Sequence, residues 1–314
     1  MSEAIWKPTQ PVALIAGTPP GGGLDRAARA LVRVIEARGL LDVPIRVTNI
    51  AGDGAREAWR YMDARAGDRH VLGISASNLT TDHLLGITPG DYSRYTPLAF
   101  LYTEYIAFAV RGDSPLASGA DMLCRLAEAP DEFVIALATS LGNPNHVALA
   151  RIARHVGTDP RALRLRVFDS ALDAVADVIA GHAALAAVTA ASTAAEQAAG
   201  RVRLIAMSSP ARLPDPFVGV PTWREQGVAC EVNSWRGVSG PAGLGAAERR
   251  FWEGVLSAAT STPEWQAELA RHAWAPMYLD GPDLLAHLAH ERDEMRAALL
   301  ALGLIGSGPD TPRD

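Results

Sequence analysis

The chain has 314 residues, of which 48% are hydrophobic and 20% charged, a composition typical of a globular protein with one large domain or two ordinary ones. The formal net charge is -6 and the sequence has no block of five or more basic residues that could bind the phosphate backbone of a nucleic acid, so nucleic-acid binding is not expected. No stretch approaches the roughly 20 apolar residues that a membrane helix requires.

Short apolar runs alternate with longer amphipathic stretches along most of the chain. The runs predict strands at Val12–Ala16, Ile45–Thr48, Val71–Ile74, Ala107–Val110, Val134–Ala138, Leu165–Phe168, Ala184–Val188 and Leu204–Met207. The amphipathic stretches predict helices at Asp25–Arg38, Val147–His155, Ala171–Ala180 and Thr193–Ala199, and in the last third from about Ala246 to Thr260 and from about Pro282 to Leu302. This alternation is typical of βαβ units and therefore predicts an α/β fold with mainly parallel sheets.

Two positions divide the chain into two α/β blocks, one near Leu101–Ile106 and one near Gly227–Ser234. Two crossings between two blocks predict a hinged protein with a ligand in the cleft between its lobes. We expect lobe one to hold residues 1–104 and 228–314, with the C-terminal helices packed on it, and lobe two to hold residues 105–227.

The sharpest local feature is the segment from Val12 to Asp25, in which a strand, a glycine-rich turn and a helix follow one another. Consecutive glycines let a backbone approach a ligand closely, and the N-terminus of the next helix favours an anion. A tight turn without a ligand fits the same residues. A P-loop is excluded because no lysine follows the glycines, and Thr48 and Asn49 stand where a dinucleotide site has an acidic residue.

The turn resembles the first signature of the substrate-binding proteins of tripartite tricarboxylate transporters, the Bug-type receptors. Further segments resemble that family in order, over about residues 8–305. They are Thr48–Gly54, Ile74–Asn78, Ala138–His146, Leu213–Thr222 and Asn233–Gly243, the last of which matches a Ser-Trp-x-Gly pattern. The resemblance implies a two-lobed periplasmic-binding-protein fold, type II-like, with two crossing strands.

The resemblance also implies an extracytoplasmic, monomeric receptor, not an enzyme, with no cofactor, metal or catalytic residue. It would bind a small organic acid (a mono-, di- or aromatic carboxylate) and deliver it to membrane transporter subunits. Backbone amides, small hydroxyls and water would hold the carboxylate without a buried cation. Carried over residue by residue, the implied ligand-binding residues are Pro20, Gly21, Gly22, Gly23, Asp25, Ser77, Asn78, Thr139, Ser140, Asn143, His146, Thr189 and Ser192.

The sequence departs from the family's pattern in ways that leave the bound acid open. Thr18 stands where an aromatic residue is frequent, Val167–Ser170 lacks a frequent lysine, and Thr189–Ser192 lacks a common aspartate. Asp25 could contact the ligand or stabilise the start of its helix.

Alternatives to this interpretation concern export and chemistry. The segment Met1–Pro8 shows no basic-then-apolar leader, so a periplasmic location implies a leader outside the printed sequence. A cytoplasmic carboxylate sensor is one alternative, and a hydrolase or dehydrogenase on a similar frame is another. Cys124 and Cys230 are expected to be inert thiols, although a single bridge between them is possible. His287 and His290 lie at a spacing that could hold a metal, but no third ligand is evident.

Overall fold

The computed structural model describes residues 6–306. Its strands are β1 (Val12–Ala16), β2 (Ile45–Asn49), β3 (Val71–Ala76), β4 (Thr96–Arg111), β5 (Ile135–Ala138), β6 (Leu165–Phe168), β7 (Leu185–Thr189), β8 (Val202–Met207), β9 (Asn233–Gly240) and β10 (Ala275–Asp280). Its α-helices are α1 (Gly23–Ala37), α2 (Arg56–Asp63), α3 (Asn78–Leu84), α4 (Gly119–Glu128), α5 (Pro144–His155), α6 (Ala171–Ile179), α7 (Ala194–Ala198), α8 (Ala246–Thr260), α9 (Pro263–His272) and α10 (Gly281–Ala301). All strands predicted from the apolar runs are present. The sequence analysis did not predict the first part of β4, the strands β9 and β10, or the helices α2, α3, α4 and α9.

The first lobe is built on a mixed sheet. β1 lies between β2 and β3 and runs parallel to both. β9 then pairs antiparallel with β3 on one side and with β4 on the other, and β10 pairs antiparallel with β4. α1 covers this sheet because Ala28, Leu31 and Ile35, spaced at helical intervals, are all buried.

The second lobe is built on a sheet in which β5 runs parallel to β6 and β7. The second half of β4 completes it, pairing antiparallel with both β7 and β8. Its strands β5 and β7 are buried along their whole length, as expected for strands covered on both faces.

β4 is a crossing strand between the two lobes. Its 16 residues pair with β9 as far as Tyr105, opposite Asn233, and with β7 from Ile106 onward. The chain returns to lobe one where β9 begins, beside the contact in which Ser208 Oγ donates to the Val232 carbonyl at 2.5 Å. We propose the same division of the chain here, with residues 1–104 and 228–314 in one lobe and 105–227 in the other.

The C-terminal helices mostly cover lobe one. α8 and α9 bury Trp252 and Trp265 in the core of that lobe. α10 starts there too, with Leu288 in a lobe-one cluster, but near its end Leu299 packs into the core of lobe two. With 21 residues α10 is about 30 Å long at 1.5 Å per residue, which is enough to reach both lobes. In residues 6–306 no helix is both long enough and apolar enough to span a membrane.

Candidate functional site

A cavity of about 50 Å³ lies between the two lobes. Both lobes contribute to its wall, and the carboxyl ends of β1, β3, β5 and β7 lead into the segments that form it. This is where ligands bind in open parallel sheets. The lining residues are Thr18, Gly23, Leu24, Ala55, Ala76, Ser77, Asn78, Ser234 and Arg236 from lobe one, and Ala138, Thr139, Asn143, Pro144, Asn145, Ala171 and Thr189 from lobe two.

The glycine-rich turn after β1 is held by its own hydrogen bonds. The Gly22 amide donates to the Pro19 carbonyl at 2.9 Å, and the Asp25 amide donates to Thr18 Oγ1 at 3.2 Å. A Cβ at Gly22 would lie 2.6 Å from Thr18 Oγ1, so this position has no room for a side chain. Gly21 adopts φ +82°, which favours glycine. The turn is therefore a rigid support that presents the start of α1 to the cavity.

Asp25 organises this turn from within lobe one. Its buried carboxylate accepts hydrogen bonds from the Gly21 amide at 2.8 Å, from Arg29 Nε at 2.9 Å and from Asn49 Nδ2 at 2.9 Å. Burial raises its pKa, but the bonds from Arg29, Gly21 and Asn49 outweigh burial and lower the pKa overall. Since its oxygens are occupied and it does not line the cavity, the structure favours the helix-start role of Asp25.

The first turn of α1 gives the cavity its unused backbone donors. Gly23 and Leu24 both line it, and the first amides of a helix have no acceptor within the helix. The partial positive charge of the helix end adds to their attraction for an anion. Pro20, Gly21 and Gly22, also expected at the ligand, lie outside the lining of this cavity.

Arg236 on β9 is a cavity residue that the sequence analysis missed. Its side chain is 7% exposed and lines the cavity, and its Nη2 lies 3.5 Å from the position of a Cβ on Gly23. Nη2 forms an ion pair with the buried Glu104 at 2.8 Å, and Nη1 donates to Ser234 Oγ at 2.7 Å and to the Trp235 carbonyl at 2.8 Å. The candidate cavity therefore has a buried cation on its wall, which the sequence analysis did not expect. Arg236 occupies the unspecified position of Ser-Trp-x-Gly, so the resemblance gave no signal for it.

The loop after β5 forms the facing wall from lobe two. Thr139 adopts φ +68°, an uncommon conformation for a threonine, and Asn143 caps α5. Asn143 Nδ2 donates to the Ala138 carbonyl at 2.7 Å and to Thr139 Oγ1 at 2.8 Å, and its Oδ1 accepts from the His146 amide at 3.1 Å. Asn145, which was not predicted, lines the cavity at the second position of α5.

His146 lies behind this wall and not on the cavity. Its ring is buried, and Nδ1 accepts a hydrogen bond from the Gly142 amide at 2.9 Å. Burial lowers the pKa of His146 to about 4, so the ring is neutral at pH 7. A neutral ring that holds a loop amide fits a structural role better than proton transfer.

Of the other predicted ligand-binding residues, some line the cavity and some are buried next to it. Ser77, Asn78 and Thr189 line the cavity, whereas Ser140 and Ser192 are buried beside it. Asn78 Nδ2 donates to the Gly54 carbonyl at 3.2 Å, which holds the lobe-one wall together. Thr189 Oγ1 and Ser192 Oγ lie 3.1 Å apart.

The two lobes touch each other across the cleft. Arg26 of α1 donates from Nη2 to Ser192 Oγ at 2.6 Å, and the Gly54 amide donates to Asp169 Oδ1 at 3.4 Å. Asp82, on lobe one, lies beside Ser140 of lobe two, and burial raises its pKa to about 6 against the lowering effect of Arg56. This arrangement is a closed cleft.

A larger hollow of about 380 Å³ lies on lobe one alone, beside Trp59 and Tyr95. Its three arginines are paired with acidic side chains: Arg56 with Asp53 and Asp82, Arg60 with Asp53 and Glu57, and Arg94 with Asp63. It is lined by lobe one only, whereas both lobes line the smaller interlobe cavity, and therefore the smaller cavity is the candidate site.

In residues 6–306 no group of three or more His, Cys, Asp and Glu side chains is placed to hold a metal ion. Cys124 is exposed and Cys230 is buried, and both are free thiols.

No protein-family model matches the sequence, and neither does any curated protein. Solved structures do match the fold. The chain is similar to the periplasmic binding protein BugD, with 19% identity and a TM-score of 0.85, over 95% of this chain and 99% of that one. It is similar to MatC from Rhodopseudomonas palustris with bound malate, with 19% identity and a TM-score of 0.81, over 93% and 99% of the chains.

A third structure, R. palustris Rpa4515 with adipate, has 21% identity and a TM-score of 0.85, over 94% of this chain and 98% of that one. A TctC solute-binding protein from Polaromonas matches at 22% identity with a TM-score of 0.64, over 94% and 99% of the chains. At these identities the comparison concerns the fold, and for the fold the resemblance stated from the sequence is confirmed. The chain has the two-lobed α/β fold of the TctC- and Bug-type periplasmic binding proteins.

Proposed function

We propose that this protein is an extracytoplasmic solute receptor that binds a small organic carboxylate between its lobes. The observation that carries the proposal is the placement of Arg236 beside the first turn of α1, where Gly23 and Leu24 line the closed interlobe cavity. A guanidinium and free helix amides converge there on one small volume.

The chemistry of this corner suits a carboxylate. A carboxylate that leaves water must recover strong hydrogen bonds, and charge-assisted bonds from an arginine and from amide groups provide them. The start of α1 contributes its partial positive charge without a flexible side chain. Because Arg236 is fixed by Glu104, Ser234 and the Trp235 carbonyl, little side-chain entropy is lost when it binds.

A receptor role fits the cavity better than catalysis does. Within the described residues the lining consists of Gly, Ala, Leu, Pro, Ser, Thr, Asn and one Arg, so it offers no histidine, cysteine, lysine or carboxylate as base or nucleophile. A serine or threonine hydroxyl without such a base is a weak nucleophile. The neighbours in fold are solute-binding proteins, which agrees with a protein that binds and releases its ligand unchanged.

Delivery to a membrane transporter follows from the same reasoning. The structural neighbours are periplasmic proteins, and a receptor that closes around its ligand presents a different surface when it is loaded. We propose a partner of the tripartite tricarboxylate type and a monomeric receptor.

The test is a ligand screen with the purified protein. A ligand that binds only the folded state stabilises it by about 2.7 kcal/mol at a hundredfold excess over Kd. We therefore expect at least one mono-, di- or aromatic carboxylate to raise the melting temperature by several degrees, with unchanged acid recovered by mass spectrometry. Conversion of the acid to a product would support the enzyme alternative, and a panel without any binder would contradict the receptor.

A further inference from the structure

The interlobe cavity has fewer positively charged side chains on its wall than a site for two carboxylates would need. Among the residues that the structure describes, Arg236 is the one charged side chain on the lining. The other polar lining groups are the hydroxyls of Thr18, Ser77, Thr139, Thr189 and Ser234 and the amides of Asn78, Asn143 and Asn145. A ligand therefore meets a cation in one place only.

The charges around this corner sum to one positive charge. The charge of Arg236 is balanced by Glu104 at 2.8 Å. Arg26 lies at the same corner, with Nη2 4.0 Å from the position of a Cβ on Gly23. It donates hydrogen bonds to the Gly21 carbonyl and to Ser192 Oγ, and it contacts no carboxylate in the described part of the chain. The nearby Asp25 is offset by Arg29. One ligand carboxylate neutralises this net charge.

The facing wall has little to offer to a second carboxylate. At the start of α5, Pro144 has no amide hydrogen and the His146 amide already donates to Asn143 Oδ1, so only the Asn145 amide is unused. A single amide is satisfied by a neutral carbonyl or hydroxyl oxygen. Asp169 of lobe two accepts a hydrogen bond from the Gly54 amide at 3.4 Å, and its carboxylate would repel a second negative charge. A second buried carboxylate would lack a cation, which is a costly arrangement.

The size of the cavity points to a short ligand. Its volume of about 50 Å³ corresponds to a few water molecules. A water needs about 10–15 Å³ in this measure and represents about 30 Å³ of liquid. The space therefore suits a molecule on the order of 100 Å³, which is the size of an acid of a few carbon atoms.

Resting on the proposed function, we infer that this receptor selects short monocarboxylates with an uncharged polar tail, such as hydroxy or keto acids, over dicarboxylates. Arg236 and the start of α1 bind the carboxylate, and the hydroxyls and amides of the remaining wall bind the tail. The neighbours with malate and adipate hold dicarboxylates, so this chain is expected to differ from them.

The deciding experiment is calorimetric titration at pH 7.5 with lactate and pyruvate against malonate and succinate. We expect the better monocarboxylate to bind at least fivefold more tightly than either dicarboxylate. A smaller ratio, or tighter binding of a dicarboxylate, overturns the inference while the receptor function stands. If none of the acids in the wider carboxylate panel binds, the proposed function itself fails.

Two charge variants test the cause of the selectivity. Glu104→Gln keeps a hydrogen-bond acceptor for Arg236 and adds one net positive charge, so we expect the ratio to move at least fivefold towards the dicarboxylates. Arg26→Gln removes one positive charge, and we expect the ratio to move the other way. Thermal melts confirm that each variant is folded. Ratios that stay constant in folded variants would overturn the charge argument, and if Glu104→Gln does not fold, Arg26→Gln and the wild-type ratio decide.

Discussion

Replacement of Gly23 by alanine separates binding from folding at the candidate site. A Cβ at Gly23 would lie 3.5 Å from Arg236 Nη2, an ordinary contact distance, and the residue does not adopt a positive φ. The fold should therefore accept the methyl group, and the change can stabilise it by about 0.4–1 kcal/mol through the unfolded chain. The same methyl group occupies space beside the guanidinium that the carboxylate needs.

The expected loss of affinity follows from the hydrogen bonds at this corner. A hydrogen bond to a charged group contributes about 1.5–3 kcal/mol, so displacing the carboxylate from one donor should raise Kd roughly ten- to 150-fold. Calorimetric titration with an acid that the wild type binds measures this loss, and a thermal melt reports the fold. Gly22→Ala is not equivalent, because its Cβ would lie 2.6 Å from Thr18 Oγ1 and would distort the turn.

A matched control is available in α8. Gly254 has no neighbour within 4 Å of its Cβ position and lies within that helix, far along the chain from the turn. Gly254→Ala should stabilise the protein by roughly 0.5–1 kcal/mol, as expected for a helix interior, and should leave Kd unchanged. A folded Gly23→Ala protein that binds as tightly as Gly254→Ala would refute the assignment of the carboxylate to the start of α1.

Two further predictions concern stability. Burial lowers the pKa of His146 to about 4, below about 6.5 in the unfolded chain, so the unfolded chain takes up the proton first and this contribution to stability is lost as the pH falls from about 6.5 towards 4. We expect the free energy of unfolding to fall by up to about 2 kcal/mol between pH 7 and pH 5, and we expect His146→Asn to remove this fall. Urea unfolding at both pH values measures it. An equally steep fall in the variant would contradict the prediction. Leu299 is fully buried, so Leu299→Ala should lower the free energy of unfolding by about 2–5 kcal/mol. Leu285, also on α10, is 41% exposed, so Leu285→Ala should change it by no more than about 0.5 kcal/mol. Equal losses in the two variants would contradict the packing of α10 on lobe two.

The parts of the site that sequence predicted are those formed by neighbouring residues. The turn from β1 into α1 depends on Gly21 and Gly22 and on a helix that begins directly after them, and all of this is visible in one short segment. The cap of α5 by Asn143 is equally local. For the same reason the predicted strands and the helices with a clear apolar face are present in the structure.

The parts that sequence could not predict depend on distant pairing. Arg236 reaches the cavity because β9 pairs between β3 and β4, which brings Arg236 next to Ala76 and close to Glu104. The first half of β4 was missed because it mixes polar and apolar residues on faces that only the fold buries. Pro20 and Gly21 lie outside the cavity lining, and the local pattern of residues does not show which side of a turn faces a cavity.

A crystal structure of the complex tests the central claim most directly. The protein would be crystallised with the tightest-binding acid from the carboxylate panel. The account predicts one carboxylate between the lobes, with oxygens within about 3 Å of the Arg236 guanidinium and of the Gly23 or Leu24 amide, and the acid's tail against Thr139, Asn145 or Thr189. A carboxylate bound on one lobe alone, or in the cleft without contact to Arg236 and the start of α1, would contradict it.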